Sequence, residues 1–396
     1  MRTFVDMETI FKKLLPILLL PVCLLAQPAV WEGYQPPDDS APLPIISKDG
    51  PHNVILMIGD GMSLSTVSAA RLRAVGTTGF LHLDRLPIAG FIRTQPSDRL
   101  ITDSAAASTA MACGIKTRNR MIGVDPDGTP YTSILLAFKE HGMRGGLVAT
   151  STITHATPAG FASSVGSRKD EPLIAEQLIT NKVDVLLGGG RALFWPQSHT
   201  DSRRTDDHDL IAEAVSQKYQ YVSTLEELSA AIGPQVLGLF AVEAMTTRRP
   251  EPSLAEMTTR AIEFLNKDRK GFFLMVEGSQ IDWANHENDA DNSVRQTLSF
   301  DMAIGEAIRF AEKDGETLVV VTADHETGGL VIDDGASDGS TLTVSWSSKN
   351  HNGGTVPLYA YGPGALHFSG FHENTEIPKT IATLFKIKPF PVILPR

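Results

Sequence analysis

The sequence predicts an α/β fold: one large, mostly parallel central sheet sandwiched by helices, with a small β insertion. Three observations predict it. Short apolar runs rich in Val, Ile, Leu and Phe recur along the 396 residues, as strands buried on both faces do. Amphipathic or Ala-rich stretches alternate with them, the order that covers both faces of a parallel sheet. Polar residues capable of binding metals stand directly after several of the apolar runs, at the sheet edge where open α/β folds bind ligands.

Taken in chain order, Lys12 and Lys13 precede an apolar run from Leu14 to Leu25, followed by Ala26. That run is short for a bilayer span and suits the central region of a signal peptide, so residues 1–26 are expected to direct export to the periplasm or the exterior. Pro16, Pro21 and Pro28 disfavour a buried helix there. Cys23 lacks the small preceding residue expected of a lipidation site. Residues 27–50, rich in Pro, Asp and Ser, read as an extended lead-in. The catalytic body is expected over 51–396. Strands are predicted over 53–58, 90–94, 145–149, 183–187, 236–241, 272–276, 318–322 and 357–361. Helices are predicted over 63–75, 104–113, 132–141, 171–181, 254–266 and 294–313. The charged stretch 194–209 reads as a surface loop, and 331–350 as the β insertion. No later segment is long and apolar enough to span a membrane.

The formal charge of −11 argues against a nucleic-acid or anionic-membrane surface. An anionic substrate remains compatible, because bound cations can dominate a local site. Beyond the signal segment the only cysteine is Cys113, so no intramolecular disulfide is expected. Its small-residue surroundings suit a buried, inert thiol.

Asp60 follows the run Val54–Ile58, Glu277 follows Phe272–Val276, and Asp324-His325 follows Val319–Thr322. Asp282 and His286 lie four apart, a spacing that lets both reach one ion, and imidazole with carboxylate suits Zn²⁺. His351 stands alone in Asn350-His351-Asn352, where a lone histidine is by itself more often a structural or surface residue than a ligand. Ser104 opens the Ala-rich helix. There it could be an N-cap, or it could meet an anion where backbone N–H groups and the helix dipole converge.

Together the segments Gly59-Asp60-Gly61-Met62, Thr102-Asp103-Ser104-Ala105, His155-Ala156-Thr157-Pro158, Glu277-Gly278-Ser279-Gln280-Ile281-Asp282, Asp324-His325-Glu326-Thr327-Gly328-Gly329 and Tyr359-Ala360-Tyr361-Gly362-Pro363-Gly364 resemble the alkaline phosphatases, in order, and look closest to the cold-adapted bacterial branch. The resemblance runs from about Asn53 to the C-terminus. It implies hydrolysis of phosphate monoesters through a phosphoserine at Ser104, with two zinc ions and one magnesium. Asp282, His286 and His351 look like ligands of one zinc. Asp60, Asp324 and His325 look like ligands of the second, which would hold the Ser104 oxygen as alkoxide. Asp60, Thr157 and Glu277 would hold the third ion, beside His155 and Trp283, where the best-known bacterial members carry aspartate and lysine. Arg168 resembles the phosphate-binding arginine, its planar fork suited to two phosphoryl oxygens, with Asp103 orienting it. A homodimer is the family habit.

Rival readings stay within reach of the residues. A sulfatase would need a nucleophile followed by x-Pro-x-Arg, which Ser104-Ala105-Ala106-Ala107-Ser108 lacks. A phosphodiesterase of the same superfamily would usually carry Thr as nucleophile and no counterpart of Arg168 or Glu277. A phosphoglycerate mutase would have no signal peptide. The reading from another class is a non-catalytic secreted binder of metal or phosphate, against which Ser104 and the full ligand set argue.

Overall fold

A computed structural model describes residues 33–267 and 269–394. The signal segment expected over 1–26 lies outside them, as does the start of the lead-in. From Gly33 to Gly50 the chain forms no helix or strand, yet it is anchored. The Tyr34 hydroxyl donates to Asp301 Oδ2 at 2.6 Å, inside the protein. Asp301 also accepts from the backbone N–H of His82 and of Leu83, 2.9 Å each.

Fourteen strands are formed among the described residues: β1 (Asn53–Gly59), β2 (Ile88–Arg93), β3 (Arg144–Thr152), β4 (Val185–Gly189), β5 (Gln220–Val222), β6 (Val236–Leu239), β7 (Phe272–Gly278), β8 (Thr317–Thr322), β9 (Glu326–Thr327), β10 (Leu330–Gly335), β11 (Leu342–Trp346), β12 (His351–Asn352), β13 (Val356–Tyr361) and β14 (Gly370–Glu373). Ten of them form one sheet in the order β14-β2-β13-β8-β1-β7-β3-β4-β6-β5. All its pairings are parallel except those of β13, which runs antiparallel to β2 and β8. The sheet is flanked by helices, among them Leu254–Leu265 and the long Ala290–Asp314. The central strands β1, β7 and β8 are buried throughout, which is why the sequence shows them as unbroken apolar runs rather than alternation.

The predicted elements form with ends shifted by a few residues at most. β5 and β14 were not predicted; at three and four residues they are too short to carry a pattern. The insertion is the hairpin β10–β11. The 194–209 stretch, read as surface from its charge, is pinned from within. The Arg204 side chain is fully enclosed, pairing with Asp206 at 2.7 Å and with Glu176. Cys113 is buried and free, its thiol pushed up to about 12 by burial.

Candidate active site

Three adjacent strands of the sheet, β8, β1 and β7, end at one place, and each delivers a carboxylate there. Asp60 follows β1, Glu277 is the penultimate residue of β7 and Asp324 stands two residues after β8. All three are fully buried. Gly61 lets the chain turn at this point with φ +70°, and a Cβ there would lie 2.8 Å from the Asp282 Cα. Its N–H donates to Asp324 Oδ1 at 3.1 Å.

Helix Gln280–Glu287 begins directly after β7 and carries Asp282 and His286 one turn apart on its inner face. The short pairing of β12 with β9 brings in His351. Nδ1 of His286 meets Lys349 O at 2.6 Å and Nδ1 of His351 meets Thr102 O at 2.9 Å. A carbonyl accepts only from N–H, so both rings turn Nε2 inward. The two Nε2 atoms are 3.1 Å apart, and they lie 3.3 and 3.5 Å from Asp282 Oδ1. Two imidazole lone pairs and a carboxylate oxygen cannot converge in this way without a positive charge among them. Burial opposes the Asp282 anion, but hydrogen bonding to His286 and His351 outweighs it and holds the carboxyl well below its usual range. The same bond, seen from the other side, pushes His286 up to about 9. A proton can fill the gap; a divalent cation fits it with all three ligand atoms at once. This cluster is the open side of the site: the His286 and His351 side chains keep 34% and 16% exposure against 8% for Asp282.

The second cluster adjoins the first, with the His325 and His351 rings stacked at 3.6 Å. His325 Nε2 lies 3.2 Å from Asp324 Oδ2, 3.5 Å from Asp60 Oδ1 and 3.3 Å from Ser104 Oγ. Ser104 is not the cap of its helix. Asp103 is, its Oδ1 accepting from Ala106 N at 3.0 Å. That leaves the serine hydroxyl in the first helical turn facing the cluster.

The third cluster is Asp60, Glu277 and His155, with Thr157. Both oxygens of Asp60, Oε1 of Glu277, Oδ2 of Asp324, Thr157 Oγ1 and His155 Nδ1 are buried without a hydrogen-bond partner. Burial raises the Asp60 carboxyl well above its usual range, and the charges of Asp324, Asp282 and Glu277 raise it further. Burial lifts Glu277 to about 7 and Asp324 to about 6. Buried carboxylates facing one another are costly unless cations neutralise them. The donor set therefore fits bound metal ions.

Arg168 completes the site. Its Nη1 lies 3.4 Å from Asp103 Oδ2 and its Nη2 is 3.0 Å from His155 Nε2. Burial and the Arg168 charge hold His155 down at about 3, so its ring stays neutral. Trp283 packs edge-on to it at 6.0 Å.

Every residue named from the sequence converges here, but the supports were not foreseen. Thr327 Oγ1 meets Asp282 Oδ1 at 2.5 Å and His325 Nδ1 at 3.2 Å, linking two clusters. Its hydroxyl can donate to the carboxylate only if it accepts from Nδ1–H, which leaves Nε2 of His325 free to bind. The signal was present in the spacing: two residues after His325 in extended chain is the same face. Ser279 Oγ accepts from the N–H groups of Thr150 and Ser151 at 3.2 and 3.0 Å, tying the end of β3 to the Glu277 turn.

Comparison with known proteins identifies a family. The family described as alkaline phosphatase matches residues 51–341 and 333–387. Alkaline phosphatase 3 of Bacillus subtilis is 37% identical over 93% of this chain and 96% of its own length. The alkaline phosphatase of Escherichia coli K12 is 32% identical, covering 85% of this chain and 86% of that protein. Among solved structures, alkaline phosphatase from the Antarctic bacterium TAB5 superposes with a TM-score of 0.78 at 37% identity, over 86% of this chain and 99% of that one. A His-to-Asp variant of the TAB5 enzyme, solved with Mg bound in its M3 site, gives 0.77 over the same shares.

Proposed function

The chain belongs to the alkaline phosphatase family and is a phosphoric monoester hydrolase, and on that premise we propose that it works through Ser104 as nucleophile with two zinc ions and one magnesium. The observation that carries the metal assignment is the set of buried, partnerless carboxylate oxygens at Asp60, Glu277 and Asp324. Asp282, His286 and His351 would hold one zinc, and Asp60, Asp324 and His325 the other. Asp60, Thr157 and Glu277 would hold magnesium, with His155 beside it. Bound there, the ions would supply a lowered pKa for the serine hydroxyl and for water, and would neutralise charge on the leaving oxygen.

The residues do the rest. Arg168 holds two non-bridging phosphoryl oxygens with its guanidinium fork, steadied by Asp103. The N-terminal amides of helix Ser104–Cys113 face the same anion. Ser104 Oγ forms a bond to phosphorus as the ester P–O bond breaks, releasing the alcohol. Water then displaces Ser104, giving inorganic phosphate and free serine. Positioning and charge stabilisation supply most of the acceleration in phosphoryl transfer.

Metal analysis beside activity on the purified enzyme tests the assignment. Two zinc ions per active chain, with magnesium raising turnover, is the expected result. Full activity with less than one zinc per chain would contradict it. Replacing Arg168 by Ala should weaken inorganic phosphate as a competitive inhibitor by about 1.5–3 kcal/mol, the scale of charge-assisted hydrogen bonds. An unchanged inhibition constant would place Arg168 outside the phosphate site. Thr327→Val should loosen zinc retention by roughly 10–100-fold, the usual effect of losing a ligand's hydrogen-bond support, whereas Thr327→Ser should restore it. Zinc release to a colorimetric chelator reads this without turnover, and equal rates in all three proteins would show that Thr327 only packs.

Export and pairing complete the proposal. Lys12-Lys13 with the apolar run after them supports export, and among the described residues no helix is long and apolar enough to cross a membrane. The exposed Phe91 and Phe371, 6.4 Å apart at the β2–β14 edge of the sheet, support a face covered by a second copy. Sedimentation of wild type against Phe371→Glu tests that; a monomer in both would contradict it.

A further inference from the structure

The turn that closes the phosphate side of the site is built from arginines that the reaction described above does not use. Arg120 N–H donates to Asp103 Oδ2 at 3.0 Å, and Arg120 O accepts from Arg168 N–H at 2.7 Å. Asn119, its neighbour, accepts from Asp103 N–H through Oδ1 and donates to Ile101 O through Nδ2, both at 3.1 Å. The backbone of this turn is thus clamped to the cap of the nucleophile's helix and to the phosphate-binding arginine. Because Asp103 Oδ2 also faces Arg168 Nη1, the Arg120 nitrogen sits within two hydrogen-bond lengths of that guanidinium.

Arg120 holds φ +74°. Gly or Asn adopts that conformation at least cost, and a long side chain there is strained. Strain of this kind gathers at functional sites. Arg118, two residues earlier, shares the turn, whose Arg118 O accepts from Met121 N–H. Both arginine side chains are exposed, and among the described residues neither has a carboxylate within ion-pairing distance. On a chain of net charge −11, two unpaired cations on a turn whose backbone is clamped to Asp103 and Arg168 are a local exception to the field of the whole molecule.

We propose that Arg118 and Arg120 form a cationic rim that favours phosphomonoesters carrying a second anionic group, phosphate or carboxylate, over esters of neutral alcohols. The proposal rests on the phosphomonoesterase reading and on Arg168 holding the reacting phosphoryl group. The scissile group occupies Ser104 and Arg168 while the second anion meets the rim. Attraction at this range strengthens binding of the whole substrate and leaves the chemical step unchanged, so the preference falls mainly on KM.

Matched ester pairs test it. The ratio of kcat/KM for a hexose 1,6-bisphosphate to that for the hexose 6-phosphate measures the preference for a second phosphate. The ratio for 3-phosphoglycerate to glycerol 3-phosphate measures it for a carboxylate. Arg118→Gln with Arg120→Asn, the asparagine chosen because it tolerates the left-handed backbone, should lower one or both ratios by about 3–20-fold. Arg118→Gln alone, which leaves the clamped Arg120 backbone untouched, should lower them by a smaller factor. Lys313→Gln, at the end of helix Ala290–Asp314 just before the start of β8, whose far end carries the site, should change neither. Added salt should depress the wild-type ratios and not those of the double variant. Ratios and salt responses alike in wild type and both rim variants would overturn the proposal. A wild type that hydrolyses none of the four esters would overturn the phosphomonoesterase reading, and this proposal with it.

Discussion

Ser104→Ala is expected to lower turnover of p-nitrophenyl phosphate at least ~10³-fold, because the covalent route is lost outright. Zinc content and thermal stability should change little. The hydroxyl meets His325 Nε2 at 3.3 Å but caps nothing, since the helix start is held by Asp103 Oδ1 on Ala106 N. A buried serine losing one contact of that length costs about 1 kcal/mol at most. The pairing of a large kinetic loss with an intact fold separates a nucleophile from a scaffold residue. Substantial residual turnover would mean that another group is attacked, or that water attacks phosphorus directly.

Chelation should remove activity in two steps. The early loss is expected to be restored by Mg²⁺ alone, and a slower loss to require Zn²⁺. The reason lies in the third cluster. Asp60 and Glu277 offer it oxygen, but His155 is an imidazole whose single acceptor nitrogen already faces Arg168 Nη2 at 3.0 Å. A neutral ring shared with an arginine gives a hard Mg²⁺ little, and Mg²⁺ favours oxygen-rich, hydrated sites. Trp283, packed edge-on to that ring, adds no carboxylate and no oxygen ligand. Replacing both, His155→Asp with Trp283→Lys, should slow the early phase by roughly 10–100-fold. Identical early rates in wild type and double variant, at one pH and temperature, would show that Asp60, Thr157 and Glu277 alone set magnesium affinity.

The elements that the sequence made legible are those whose residues answer to a single demand. β1, β7 and β8 are buried on both faces, and their apolar runs say so directly. Helix Leu254–Leu265 has a capping box at Ser253 and Glu256 and one apolar face. Helix Gln280–Glu287 was not predicted as an element, because Asp282 and His286 occupy its inner face where an amphipathic pattern would place apolar groups. Its ligand spacing was nonetheless readable. The cap of the Ser104 helix stayed open in the sequence for a related reason: Asp103 and Ser104 are both good caps, and only the fold shows that Asp103 turns back to the helix. Thr327 shares a face with His325 by its spacing, but its second partner, Asp282, lies in another segment and is set only by the fold, and the Arg118–Arg120 turn depends on one backbone angle and on partners in other segments. Arg204 shows what charge density cannot reveal: in a loop that is mostly exposed, pairing with Glu176 and Asp206 encloses one arginine.

The central claim is that Ser104 carries the phosphoryl group during turnover, and trapping that intermediate tests it most directly. The enzyme is mixed with a labelled phosphomonoester, or with labelled inorganic phosphate, quenched in acid and digested, and the label is mapped by peptide. The expected result is one labelled residue, phosphoserine, in the peptide containing Thr102-Asp103-Ser104-Ala105, absent when Ser104→Ala is treated alike. Label on a histidine or on a different serine, or labelling of the Ser104→Ala protein equal to wild type, would contradict it.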